Sequence, residues 1–277
     1  MSATRLLASR GVRSLAAPRR MQQALVHGCI SFAARVQQPR SLESRRFLSQ
    51  PVGSAVVSDD NTEEAKASVA PATALVRSLQ SDFLAIQNLV HLALHDDAFT
   101  RRFEVFVRHI ETCFHQNGMV FVTGIGKSGI VARRFASTLS SLSIRSQAIH
   151  ASEWAHGELG NARAGDVVIL LSHSGETAEL LPLPAHFAQS GCTTLAIVSR
   201  SHSTLASNCT ASIVAPAMDS PDCPVPSRSI IVQEAMTNAV VEYLANSLPD
   251  RPIAFLENHP GGAIGQRASN RESHDPR

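Results

Sequence analysis

Met119-Val120-Phe121-Val122-Thr123-Gly124-Ile125-Gly126-Lys127-Ser128-Gly129 sets five apolar or β-branched residues directly against a loop carrying three glycines. The spacing predicts a strand over 119–123, a tight turn, and a helix over 130–142. The strand shows no polar alternation, so both of its faces must be covered, which is the mark of a parallel sheet. Outward from this stretch, short apolar strands are expected at 146–149, 167–171, 194–198 and 212–214. Helical periodicity is expected over 73–94, with Leu75, Leu79, Phe83, Ile86, Val90 and Leu94 in phase, and over 99–115, with Phe103, Phe106, Val107, Ile110 and Phe114. Further helices are expected over 177–190 and 230–248. Strand and helix alternate, so the fold class is α/β: a five-stranded parallel sheet flanked by helices on both faces, a three-layer, Rossmann-like sandwich.

The chain has 277 residues, of which 44% are hydrophobic and 17% charged, enough apolar content for a core. Its net charge of +2 hides an asymmetry. Nine of its 25 basic residues, all Arg, fall in residues 1–50, with one of its 23 acids, Glu43, so the remainder carries 16 and 22, a net −6. A mildly acidic body argues against a nucleic-acid partner. An acid-poor, Arg-, Ser- and Ala-rich leader has the composition of an organelle transit peptide, mitochondrial by its Arg content and plastid in the alternative reading, and Arg45-Arg46-Phe47-Leu48-Ser49 resembles a mitochondrial processing site. Residues 51–72 read as a linker, 73–265 as one domain, and 266–277 as a polar, disordered tail. The five cysteines include no C-x-x-C pair, which argues against a zinc site or a disulfide framework. No apolar run reaches the ~20 residues of a membrane-spanning helix, so a soluble matrix or stromal protein is expected.

In a parallel sheet, ligands bind where strand ends open into helix N-termini. Gly124-x-Gly126-x-x-Gly129 matches a dinucleotide fingerprint in spacing alone, and the tip of the next strand, His150-Ala151-Ser152, lacks the acid such a site wants. A P-loop ending at Lys127-Ser128 fails because Phe121 stands where its first glycine belongs. What remains is a glycine turn offering backbone N–H groups and a lysine to an anion. The strand at 167–171 leads into Ser172-His173-Ser174-Gly175-Glu176-Thr177, three hydroxyls, a glycine and an expected helix N-terminus, the groups a phosphate monoester takes. N-capping explains one of these hydroxyls but not three.

Together the two loops resemble the sugar isomerase (SIS) domain family and, within it, the arabinose-5-phosphate isomerases. Three further segments carry the resemblance. The run from His150 to Gly160 is similar to the family's His-Pro-x-Glu-Ala-x-His-Gly-Asp-Leu-Gly, Cys223-Pro224 falls in its Cys-Pro region, and His259-Pro260-Gly261-Gly262-Ala263-Ile264-Gly265 is similar to its His-Pro-Gly-Gly-x-Leu-Gly signature. The likeness spans roughly residues 75–267. It departs in Pro221, where the family has a glutamate that Asp222 stands in for, and in Arg228 within a Ser/Thr run. The pair of CBS modules of bacterial members is not expected here.

The resemblance implies an aldose–ketose isomerase acting through an enediol on D-arabinose 5-phosphate and D-ribulose 5-phosphate, with no cofactor and no metal. Lys127, Glu176 and His259 match catalytic positions: Lys127 for the developing oxyanion, and Glu176 or His259 for the proton, His259 alternatively for ring opening. Gly124, Gly126, Ser128, His156, Ser172, Ser174, Gly175 and Thr177 match substrate-binding positions. A site completed across subunits, and so a homotetramer, is implied in the same way. Two other readings stand beside it: a sugar-phosphate-binding or regulatory module without catalysis, and an isomerase of another sugar phosphate.

Overall fold

The computed structural model describes residues 70–220, 223, 225–262 and 265. The expected leader, the linker up to residue 69, the tail from 266, and the Pro221–Asp222 pair lie outside the described residues. The sheet is parallel throughout, with strands β1 Val120–Gly124, β2 Ser146–Ala148, β3 Val167–Leu171, β4 Thr193–Val198 and β5 Ala211–Val214 in the order β2-β1-β3-β4-β5. The strand order reverses at β1, placing a switch point between the tips of β1 and its neighbours, where such sheets open a crevice.

Every residue of β1 and β3 is buried, and period-2 alternation sorts them to two faces. Val167, Ile169 and Leu171 join one core with Val120, Val122 and Ile197, while Val168 and Leu170 join a second with Phe121, Ala196 and Val198. The first core is covered by α1 Pro71–His95, α2 Asp97–His115, α3 Gly126–Ser141 and α7 Arg228–Ser247. The second is covered by α4 Ala151–Trp154, α5 Leu183–Gln189 and α6 Thr204–Asn208, and a last helix, α8 Arg251–Glu257, follows α7. Helices α4, α6 and α8 are too short for periodicity to announce.

Helix α2 buries Phe99, Phe106, Val107, Ile110 and Cys113, and Asp96 caps it by accepting from the N–H groups of Ala98 (2.8 Å) and Phe99 (3.1 Å). Of the 25 residues of α1 only Leu89 is buried. Leu75, Val76, Leu79, Phe83 and Leu84 form an exposed apolar face, with Leu75 60% and Leu84 61% exposed. No helix of the described residues is long and apolar enough to cross a membrane. The four described cysteines are free, and burial pushes the thiols of Cys113, Cys192 and Cys209 up to about 11.

The helix expected over 177–190 is a correction. The chain makes turns from Ala178 to Pro182, and α5 begins only at Leu183. Two prolines cause this. Neither can donate an intrahelical bond, and each disfavours helical backbone in the residue before it, so the helix starts where Pro184 falls in its first turn.

Arg228 sits at the start of α7 and is 7% exposed. Its Nε lies 3.3 Å from Asp82 Oδ1 of α1, an ion pair whose angle falls short of a hydrogen bond, and its Nη1 donates to Ser227 Oγ at 2.7 Å. It ties α1 to α7 rather than entering a site. The amide ends of α7 are met by Asp219, which accepts from the N–H groups of Ser227 (2.8 Å) and Ser229 (3.1 Å) and from the Ser229 hydroxyl (2.7 Å). Burial pushes the Asp219 carboxyl up, but these bonds outweigh it and hold the group below its usual value of 3.8. Asp219→Ala is expected to cost about 1 kcal/mol at neutral pH, the worth of a helix cap. A depressed carboxylate stabilises above its unfolded pKa and loses that effect as pH falls through the folded one, so the difference between native and variant should shrink below about pH 4. Urea titrations at pH 7 and pH 3 check this; an equal difference at both would remove the cap from the account.

Candidate active site

The glycine loop owes its shape to contacts a side chain would break. A Cβ on Gly124 would meet Ser128 C at 2.9 Å, and one on Gly129 would meet Gly124 O at 2.8 Å, so the two pack as backbone against backbone. Gly126 has φ +57° and open space beside it. Helix α3 starts there, earlier than the sequence suggests, with Lys127 and Ser128 in its first turn and no side chain capping it. Its free N–H groups and dipole therefore favour an anion.

Over this turn lies a cleft of about 470 Å³ lined by Gly124, Gly126, Lys127, Arg133, Ile149 and His150, with Gly129, Ile130, Ala132 and Ala148. It occupies the space between the tips of β1 and β2. Among the described residues its walls hold three basic side chains and no carboxylate. Ser128 is not among them. Arg133 and His150 lie outside the residues picked from the sequence. The signal was present, because His150 follows β2 just as Gly124 ends β1, and Arg133 lies six positions beyond Lys127 on α3.

Gly124 pairs with Leu171 in the β1–β3 register, so the Ser172–Thr177 loop stands beside the glycine loop, one strand spacing away. Its hydroxyls are partly committed. Ser172 is buried, 2.8 Å from the Thr177 hydroxyl, and accepts from Gly175 N at 3.0 Å. Ser174 Oγ accepts from Glu176 N at 3.1 Å. Gly175 has φ +71° and packs against Ser203, leaving no room for a side chain. With α5 displaced to Leu183, this loop offers an anion half-buried Ser174 and Thr177 and the amides it does not already use, rather than a helix end.

Glu176 likewise stands on no helix of its own. Its Oε1 accepts from Thr204 N at 2.7 Å, at the first residue of α6. The Thr204 hydrogen bonds, with Arg200 nearby, lower its pKa. The carboxylate thus caps α6 and holds the loop to it, which makes it a weak base. His156 lines a separate cleft of about 420 Å³ with Ser152, Glu179, Pro182 and His186. His259 lies elsewhere again. Its Nδ1 donates to Phe255 O at 2.6 Å, its ring packs on Phe255 with centroids 4.3 Å apart, and its Nε2 is 3.4 Å from Ser141 Oγ. Ser141 ends α3 and Lys127 lies in its first turn, so the helix separates them by about 21 Å at 1.5 Å per residue. One chain therefore brings Lys127, Gly124 and Gly126 beside Ser172, Ser174, Gly175 and Thr177, and leaves His156 and His259 apart. Among the described residues no cluster of three or more His, Cys, Asp or Glu is arranged to hold a metal.

The SIS domain family model matches residues 114–243. Over 169 residues the chain is 34% identical to arabinose 5-phosphate isomerase KpsF of Escherichia coli, covering 60% of this chain and 51% of that protein. It is 33% identical over 175 residues to arabinose 5-phosphate isomerase KdsD of Pseudomonas aeruginosa, covering 62% and 53%. The chain thus spans about half the length of the curated relatives it matches. Among solved structures, a candidate phosphosugar isomerase of capsule formation from Bacteroides fragilis superposes with TM-score 0.62 at 26% identity, over 70% of this chain and 99% of that one. The E. coli CFT073 protein c3406 superposes with TM-score 0.52 at 29% identity, over 65% and 97%. With the parallel five-stranded sheet and the two strand-tip loops in place, residues 114–243 of this chain match the SIS domain in sequence and in fold.

Proposed function

We propose that the chain is a sugar-phosphate isomerase interconverting D-arabinose 5-phosphate and D-ribulose 5-phosphate through an enediol. One observation carries the reading: an ammonium without an ion-pair partner among the described residues, Lys127, sits on a free helix N-terminus one strand away from a glycine-bearing Ser/Thr loop. That pairing suits an open-chain sugar phosphate, the phosphate on Ser174, Thr177 and the loop amides not already donated within the loop, and the carbonyl end over Gly126 and Lys127. The similarity to KpsF and KdsD supports this choice of sugar.

The reading takes a homotetramer as the working form. On this reading a second copy of the chain covers the exposed apolar face of α1 at Leu75, Leu79, Phe83 and Leu84. His259, remote from its own Lys127, reaches the cleft of another copy and assists ring opening there. Localisation to the mitochondrial matrix rests on the leader's composition alone.

The full chain incubated with D-arabinose 5-phosphate and assayed for D-ribulose 5-phosphate tests the reading. Turnover is expected. Absence of turnover with a raised melting temperature would make the protein a binding module. Turnover confined to a hexulose or heptose phosphate would move it to a different isomerase.

A further inference from the structure

The enediol route needs a base that lifts a proton from carbon, and the two side chains the family pattern offers are both held elsewhere. Glu176 is a hydrogen-bonded cap on α6 with a lowered pKa. His259 lies at the far end of α3. Both occupy other ground, whereas His150 lines the same cleft as Lys127.

Its ring is held from one side. Nδ1 lies 2.7 Å from Ser152 Oγ, and the same hydroxyl donates to Glu153 Oε1 at 3.3 Å. In the tautomer with Nδ1 protonated, Nδ1 donates to Ser152 Oγ at 2.7 Å and the Nε2 lone pair is left free; Ser152 N, 3.4 Å from Nδ1, is the longer contact. Buried Trp154 anchors α4 in the core. Nε2 has no hydrogen-bond partner among the described residues. An imidazole fixed through Nδ1 with Nε2 open on a ligand cleft has the arrangement of a general base.

We propose that His150 is the proton-transfer base of this isomerase, with Ser152 as a positioning residue that sets its ring. The assignment rests on the isomerase reading given above. Nε2 takes the C2 proton of the open-chain aldose. The C2–H electron pair forms the C1=C2 bond, and the C1 oxygen takes a proton from the Lys127 ammonium to give the enediol. The imidazolium then returns its proton to C1. The C2 hydroxyl gives its proton to the Lys127 amine as C2 becomes the ketone, and both side chains end as they began. Because one proton is lifted and returned by one group open to solvent exchange, turnover in D2O places deuterium at C1 of the ketose.

The test uses the full chain with D-arabinose 5-phosphate. His150→Gln is expected to lower kcat by about 10³-fold, within the range of general-base losses, with KM within about threefold. It should lose deuterium incorporation in parallel while the sugar phosphate still raises its melting temperature. Ser152→Ala should lower kcat about tenfold at constant KM, with Ser152→Thr restoring it. If His150→Gln does not fold, His150→Asn must show the same loss. A His150 variant that keeps kcat and deuterium incorporation beside an active native protein would falsify the base assignment alone. A native protein inactive on the whole sugar-phosphate panel overturns the isomerase reading and the assignment with it.

Discussion

Lys127→Ala is expected to lower kcat/KM for D-arabinose 5-phosphate by about 10³-fold and to leave the melting temperature unchanged. The chemical loss follows from where charge develops. In the proposed reaction the C1 oxygen becomes negative as the enediol forms, and Lys127 would supply a full positive charge and a proton beside the amides of α3 that no described side chain caps. Losing one such donor costs about 10²–10³-fold where water is partly excluded, and losing the proton source as well takes the effect to the upper end. The unchanged stability follows from exposure: Lys127 makes no ion pair among the described residues and its stem covers no core. Lys127→Arg keeps the charge but is a poorer proton donor, so it should restore binding more than turnover. Equal activity of the alanine variant and the native protein would remove Lys127 from the chemistry and leave the cleft as a simple turn.

Trp154→Ala should cost about 3–5 kcal/mol of stability, the largest effect of any single truncation on the second core. The indole is fully buried and stands edge-to-face with Phe121 (5.4 Å) and Phe187 (4.8 Å), joining β1, α4 and α5 in one aromatic stack. Each such pair adds about 0.5–1.5 kcal/mol to the area buried. Yet its Nε1 has no hydrogen-bond partner among the described residues, so the indole already bears a desolvation cost. Trp154→Phe removes that orphaned donor along with some volume, and should therefore cost less than half as much as alanine. Urea denaturation of the two variants checks the contrast. Activity should fall further than stability in Trp154→Ala, because Ser152 and His150 lie on the turn that the indole pins. Two variants of equal stability would mean that a phenyl ring at this place restores nothing over a methyl group, which would remove the ring stack from the account.

Much of this fold is legible in the sequence because its signals are local. The apolar runs of β1 and β3 carry burial on both faces in their composition, and the glycine loop declares a turn that only backbone can fill. The displaced start of α5 is written there too, in Pro182 and Pro184, whose backbone rules outweigh the apolar period around them. The site is harder to read because its side chains are used by partners distant in sequence. Glu176 is claimed by Thr204, 28 positions on, and nothing in Ser-Gly-Glu-Thr announces that. Ser172 offers a hydroxyl on paper and spends it inside its own loop. Arg228, an intruder by its place in a Ser/Thr run, finds Asp82 on a helix that precedes it by more than a hundred residues. His150 lies at a strand tip, where ligand groups belong, but the run it opens draws the eye to His156 instead.

The sheet's wiring also governs how the chain reaches this state. Every strand pairing is parallel, so each must wait for an intervening crossover, and Val120 meets Val167 only after α3, β2 and α4 have been threaded past. No hairpin is available among the described strands to start the process. Folding should be slow for a domain of this size, and during the wait the bare run Val167-Val168-Ile169-Leu170-Leu171, without a charge or a proline, is open to pairing with its copies on other nascent chains. The same uninterrupted apolar strand that holds the finished sheet together makes the chain a natural client for chaperones.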